Sequence, residues 1–336
     1  MMFKKAIKDT VYKLLGITAY KWSQLPPGLY CFNYHRIGDR HKTQFDPNVF
    51  SCTAESFHNQ LRFLKQHFKL IDLSELQQLV NNPAAQPKKY ALITFDDGYM
   101  DNHDVALPIL KAEGVSAVFF ISVNFVGNNI VPWWDQIAWW LRHSKCLKVV
   151  IDNKTIPVDL TTTLATEKTI RKVLNALKAD SRELNIKLLE LYQQLQPSED
   201  VPNDCKLFMG LPELKKLILN GMSVGSHTCD HHILSHLTAE EQLAELTRSK
   251  QQLEHNLGCE VNSLAYPVGD SQSYTAETQR LAEIAGYKVA FNFTNSFNLL
   301  PITNPLSISR IGIDSDISVY QLKKKVAFSK GKVTDN

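Results

Sequence analysis

No apolar run in this chain approaches the roughly twenty residues that a helix needs to cross a bilayer, so membrane-spanning helices are excluded. No two cysteines stand in a C-x-x-C spacing. Cys31, Cys52, Cys146, Cys205, Cys229 and Cys259 are scattered, which argues against a zinc ribbon and for free thiols in a reducing compartment. Charge of one sign is not in excess either. The net charge is +3 and no Lys/Arg cluster sits among spaced aromatics, so no nucleic-acid partner is expected. Internal repeats and low-complexity tracts are also missing, which removes solenoids. What remains is 336 residues of ordinary composition, 44% hydrophobic and 21% charged, enough for one large α/β domain with insertions or for two domains.

The opening stretch, MMFKKAIKDTVYKLLGIT, makes a poor signal peptide, because lysines and Asp9 interrupt its apolar core. Residues 1–20 read as an amphipathic helix, with Phe3, Ile7, Val11, Leu14 and Leu15 on one face. Such a helix docks on its own domain, packs a dimer, or lies on an anionic membrane surface. The expectation is a cytoplasmic protein, peripheral at the inner membrane face if this helix binds lipid.

The chain is organised around YALITFDDGYMD, Tyr90 to Asp101. Its apolar first half reads as a buried strand, followed at once by Asp96, Asp97 and Gly98. Open α/β folds build their sites at the carboxyl ends of such strands. Two adjacent carboxylates stay ionised only with a cation or a shared proton nearby. Taken alone, the segment reads better as an acidic turn with solvated carboxylates, since such turns are common.

Around it the pattern is strand–helix–strand. Gly28 to His35 predicts a strand, Ser56 to Phe68 and Leu73 to Val80 helices, Val105 to Glu113 a helix and Ser116 to Ile121 a strand. From residue 128 to 208 the texture changes to paired tryptophans (Trp133-Trp134, Trp139-Trp140), a short hairpin and long polar helices. This reads as a mainly helical insertion between residues 21–127 and 209–325, with 326–336 a C-terminal tail. The tryptophans suit a core or a sugar cleft equally well. Met222 to Val224 is a short strand. Thr238 to Glu241 is a capping box, Ser263 to Tyr266 a strand, and Leu306 to Ile313 the last strand.

After the Met222 strand comes GSHTCDHH, with His227 and His231 four apart. Two imidazoles and one carboxylate leave coordination positions open, as a catalytic metal site requires, and Asp97 supplies the carboxylate. Asp96 is then free to act as general base. His232 and His236 compete for the second histidine's place, and Cys229 offers a soft ligand.

The segments TFDDGY (Thr94 to Tyr99) and SHTxxH (Ser226 to His231) resemble the two leading motifs of the polysaccharide deacetylases, the NodB-homology family of carbohydrate esterases. The resemblance spans about His35 to Arg310. It implies an α/β fold, a deformed and incomplete (β/α) barrel, and metal-dependent removal of an N-acetyl group from an amino sugar. Asp96 would be the base, with Asp97, His227 and His231 holding the metal. The third motif departs: Leu264-Ala265-Tyr266-Pro267-Val268-Gly269 resembles an Ala-Tyr-Pro-x-Gly variant, whose loop N–H near Val268 would hold the oxyanion. The arginine that braces the base is missing from it, and Arg310 is the candidate substitute, with a plain surface ion pair the alternative. No histidine follows His255, so the late histidine acid is absent. Tyr34-His35-Arg36 is similar to the circularly permuted members, which makes His35 the expected general acid.

The expected activity is therefore hydrolysis of an N-acetyl group on a polysaccharide, oligosaccharide or lipid-linked glycan. Zinc is the first choice of cation, and cobalt, nickel or iron also suit the ligand set. Two rivals stand beside it, an inactive glycan-binding protein on the same fold and an amidase or deformylase.

Overall fold

The computed structural model describes residues 15–82, 88–179, 183–314 and 316–332. Most of the stretch read as an N-terminal amphipathic helix lies outside the described residues. Its end leads into helix α1 (Ile17–Ser23), which packs beside the last helix of the chain, Val319–Ala327. Among the described residues no helix is long and apolar enough to cross a membrane.

The core is a strongly curled parallel sheet. Its strands are β1 (Gly28–Tyr34), β2 (Lys89–Phe95), β3 (Ala117–Ile121), β4 (Ser223–Ser226), β5 (Ser263–Ala265), β6 (Val289–Phe291), β7 (Ser296–Asn298) and β8 (Arg310–Gly312). The parallel order is β6-β5-β4-β3-β2-β1-β8, while β7 runs antiparallel against the start of β1. Every residue of β1 and of β3 is buried, so these strands are near-continuous apolar runs rather than alternating ones. Between β6 and β8 one bridge spans the seam. Ile308 N donates to Ala290 O at 2.9 Å and Asn292 N to Ile308 O at 2.8 Å. The result is the deformed, incomplete barrel that the motifs implied.

Helices cover the outside. They are α2 (Ala54–His67), α3 (Leu73–Asn81) and α4 (Leu107–Glu113), then α5 (Trp133–Arg142), α6 (Thr163–Lys178) and α7 (Leu184–Leu195), then α8 (Leu211–Leu219), α9 (Ala239–Leu257), α10 (Ala276–Ile284) and α11 (Val319–Ala327). Their starts are chemically marked. Thr53 caps α2, and Asp72 with Glu75 and Thr238 with Glu241 form capping boxes for α3 and α9. Gly114, at φ 63°, ends α4 in the left-handed conformation.

Residues 128–208 bury a hydrophobic cluster of their own, with Trp134, Ile137, Trp140, Ile170 and Leu191 at its centre. Phe45, Tyr99, Phe125 and Phe208 weld that cluster to the barrel. The Arg40–Glu167 ion pair (2.9 Å) and Arg171 NH2 donating to Asn48 Oδ1 (2.8 Å) pin α6 in place.

The C-terminal region differs from the sequence reading. Pro305–Ser307 is a 3-10 turn, so the last barrel strand is only Arg310–Gly312. Helix α11 runs on to Ala327, and Lys330–Lys332 pairs with β7, so part of the expected tail belongs to the sheet. Asn298, the last residue of β7, ties that strand to its neighbours through its side chain, which donates to Leu29 O and Ser309 O.

Candidate active site

The carboxyl ends of β1, β2, β4 and β5 meet at one mouth of the barrel. Asp96 and Asp97 follow β2, and Asp96 N donates to Tyr34 O at 3.0 Å, which extends the β1–β2 ladder to the first acid. Asp97 then turns to φ 73° and Gly98 to φ 83°. A Cβ at Gly98 would lie 3.0 Å from Ile121, so this turn needs glycine for conformation and for space. Across the mouth, Gly225 lets β4 approach β3, since a Cβ there would sit 2.5 Å from the Phe120 ring. The chain after β4 carries both histidines on a loop rather than a helix, with Thr228 at φ 66° and His231 at φ 57°. Asp97, Thr228, His231 and Val268 are all non-glycine residues at positive φ, and backbone strain of this kind collects at functional sites.

These turns bring Asp97 Oδ1 within 3.5 Å of His227 Nε2 and 3.4 Å of His231 Nε2. His227 Nδ1 lies 2.7 Å from Ala265 O. A carbonyl only accepts, so Nδ1 carries a proton and donates to it, which leaves Nε2 to face Asp97. Burial holds His231 well below the ordinary histidine range, hence neutral, which is the form that binds metals. Burial raises the Asp97 carboxyl, and the adjacent Asp96 adds to the effect. Asp97 Oδ1 is buried without a hydrogen-bond partner, and one ligand atom from each of the three residues lies within 4.8 Å of the others. An orphaned carboxylate oxygen facing two imidazole nitrogens is what a divalent cation satisfies, so the residues present fit a metal.

Asp96 stands beside this trio under different control. Burial raises its pKa, but Arg310, His227 and His35 pull the other way, and the net is a carboxyl held well below the usual range. Arg310 is 1% exposed and grips both oxygens, NH1 to Oδ1 at 2.6 Å and NH2 to Oδ2 at 2.8 Å. The surface ion-pair alternative for Arg310 is thus overturned. His35 lines the same cleft, with Nε2 3.9 Å from Asp96 Oδ2. Its backbone is clamped by Ser51 Oγ, which accepts from His35 N, and by Asn102 Nδ2, which donates to His35 O.

Val268 also lines the cleft, and its backbone N–H makes no hydrogen bond among the described residues. Tyr266 does not share that position. Its N–H is spent on Phe291 O and its hydroxyl on Leu306 O, because the side chain points into the α9–α10 layer and stacks on Tyr274. Cys229 is buried against Glu245, away from the trio, and His232 is not on the cleft wall.

The cleft measures about 1000 Å³. Two of its walls come from the insertion at residues 128–208. Trp134 of α5 sets its ring 5.0 Å from that of His231, and its indole N–H donates to Tyr99 Oη at 2.8 Å. Tyr99 in turn donates to the buried Asp135. From α6, Arg171, Asn175 and Lys178 line the cleft at helical spacing. The tryptophan pairs hinted at this wall, but nothing local indicated which ring would face a histidine.

Comparison with known proteins agrees with this architecture. The profile of the polysaccharide deacetylase family matches residues 84–181 and 196–290, more than half of the chain. YxkH of Bacillus subtilis, assigned to polysaccharide deacetylation by name only, is 21% identical over 272 residues, covering 81% of this chain and 67% of its own. Among solved structures, the Streptococcus pyogenes deacetylase PplD in complex with acetate superposes with a TM-score of 0.58 at 18% identity, over 90% of this chain and 99% of that one. IcaB from Ammonifex degensii gives 0.57 at 17%, over 90% and 97%. At such identities the structural likeness speaks for the fold alone. Together with the profile match, which takes in both the Asp96–Asp97 turn and the His227–His231 loop, it means that the chain belongs to the polysaccharide deacetylase family, as a glycan N-deacetylase.

Proposed function

We propose that the protein is a metal-dependent hydrolase that removes the N-acetyl group from an amino sugar of a polysaccharide, oligosaccharide or lipid-linked glycan. The observation that carries this reading is the convergence of Asp97, His227 and His231 beside an Asp96 that is separately braced by Arg310. Two neighbouring carboxylates with different partners have different tasks.

A divalent cation held by Asp97, His227 and His231 would supply charge that polarises the acetyl carbonyl and acidifies water, with zinc the first candidate and cobalt, nickel or iron suited to the same donors. Asp96 accepts the proton of the attacking water. The Val268 N–H is the donor for the developing oxyanion. As the C–N bond breaks, His35 delivers a proton to the amine, and acetate and the free amino sugar leave. Trp134 excludes water behind His231, and α6 walls the side on which the sugar enters.

The bidentate hold of Arg310 on Asp96 disfavours an inactive binder on the same fold, since it supplies the guanidinium that the altered third motif lacks. The test is acetate release from a panel of N-acetylated oligosaccharides by metal-loaded protein. Wild type is expected to release acetate, and Asp96→Asn to bind the same sugars without turnover. Equal, negligible release by both sinks the proposal.

A further inference from the structure

We propose that Asn33 is a positioning residue that fixes the Asp96 carboxylate in place, an inference that rests on reading Asp96 as the proton acceptor. Asn33 is fully buried on β1, its Cα in register with Thr94 on β2 and with Gly312 on β8. It therefore stands between the strand that ends in the acids and the strand that carries Arg310.

Its side chain closes a ring. Nδ2 donates to Asp96 Oδ2 at 3.0 Å, while Oδ1 accepts from Arg310 NH1 at 2.8 Å and from Thr94 Oγ1 at 2.8 Å. Only one amide orientation satisfies this set, since a flip would aim donors at the guanidinium and a carbonyl at the carboxylate. A bidentate arginine sets the plane of a carboxylate but lets the pair shift together. Apart from the ring, Arg310 is tied to the protein by Nε donating to Asn292 O at 3.1 Å. Asn33 anchors both partners to β1, the strand that also leads into His35. Aspartate in its place would lose the donation to Asp96, and leucine would leave a carboxylate lone pair unmet and reduce Arg310 NH1 and Thr94 Oγ1 to longer contacts, with Thr94 Oγ1 at 3.4 Å and Phe32 O at 3.2 Å.

A second buried asparagine, with no side-chain bond to Asp96 or Arg310, makes the comparison possible. Asn298 is equally buried, donates to Leu29 O and Ser309 O, accepts from Ser309 N, and touches none of the acids. The experiment compares Asn33→Leu with Asn298→Leu in the full-length, metal-loaded protein, reading kcat, KM, metal content and melting temperature on an N-acetylated oligosaccharide.

Both variants are expected to lose stability. Asn33→Leu alone should lower kcat by roughly ten- to a hundredfold, with KM within about twofold and metal content unchanged, as misplacement of a catalytic group does. If Asn33→Leu does not fold, Thr94→Val decides, because it removes the 2.8 Å donor to the Asn33 carbonyl and keeps both Arg310 bonds to Asp96, the remaining loss being the long 3.4 Å contact from Arg310 NH1 to Thr94 Oγ1. A kcat loss of about threefold or more at constant KM supports the inference, and unchanged kcat overturns it. A kcat for Asn33→Leu equal to that of Asn298→Leu, a change in KM only, or loss of metal overturns it as well. Wild-type protein that releases no acetate from any sugar of the panel overturns the reading of Asp96, and this inference with it. Wild-type turnover with unaffected Asn33→Leu overturns the inference alone.

Discussion

A guanidinium that is 1% exposed is costly to bury, and Arg310 is tolerable because Asp96 meets its charge with two parallel hydrogen bonds while Asn33 and Asn292 accept from it as well. Arg310→Met should leave Asp96 charged and uncompensated, at about 3–5 kcal/mol of stability, read as a lower denaturation midpoint with turnover abolished. Arg310→Lys should not restore turnover, since an ammonium cannot reproduce the planar fork. Asp135 shows the opposite electrostatics. Burial pushes its carboxyl up to about 7, against the pull of Arg36 and of the Asp46 N–H. A carboxyl that binds its proton more tightly folded than unfolded contributes stability below the ordinary carboxylate range, and that contribution is lost as pH rises through the folded value. Asp135→Asn cannot ionise, so its melting temperature should gain on wild type between about pH 4 and pH 8. A difference that stays constant over that range would contradict this account.

At the scale of elements, α5 and α6 decide how the cation site is walled. The Trp134 ring backs His231, and the indole is itself held through Tyr99 to Asp135. Supports behind a ligand set its orientation, so Trp134→Ala should weaken zinc binding by roughly ten- to a hundredfold in a competition titration, and Trp134→Phe by much less. Unchanged affinity in Trp134→Ala would mean that the loop positions His231 without the ring. Helix α6 depends on Glu167, which meets Arg40 at 2.9 Å in a half-buried contact. Glu167→Ala should cost about 1–3 kcal/mol in chemical denaturation, because the Arg40 guanidinium then loses its anionic partner.

For the whole molecule, the candidate cation site joins loops that follow strands β2 and β4, more than a hundred residues apart in sequence. A ligand that binds only the folded chain stabilises it, by about 2.7 kcal/mol at a hundredfold excess over Kd. Zinc should therefore raise the melting temperature of wild type, and chelation should reverse the rise. Asp97→Asn with His231→Ala should show none of it. A shift of equal size in that double variant would place the cation elsewhere.

The strand before Asp96, the capping box of α9, and the paired histidines were legible in sequence because each rests on neighbours within a few residues: hydrophobic period, turn chemistry, cap hydrogen bonds. So were the α/β class and the choice of Asp97, His227 and His231, whose ligand atoms the fold brings within 4.8 Å of one another. Contacts across the barrel were not legible in the same way. Arg310 reaches Asp96 over 214 positions and Asn33 over 63, and both meetings depend on which strands pair and in what register. Side-chain direction was hidden as well. Tyr266 and Val268 stand two apart, yet the first is consumed by the α9–α10 layer while a left-handed turn places the second on the cleft. Local chemistry settled which groups this chain brings to its site. Which of them touch was left to sheet register and loop conformation, because those minimise a free energy shared by the whole barrel rather than by any one segment.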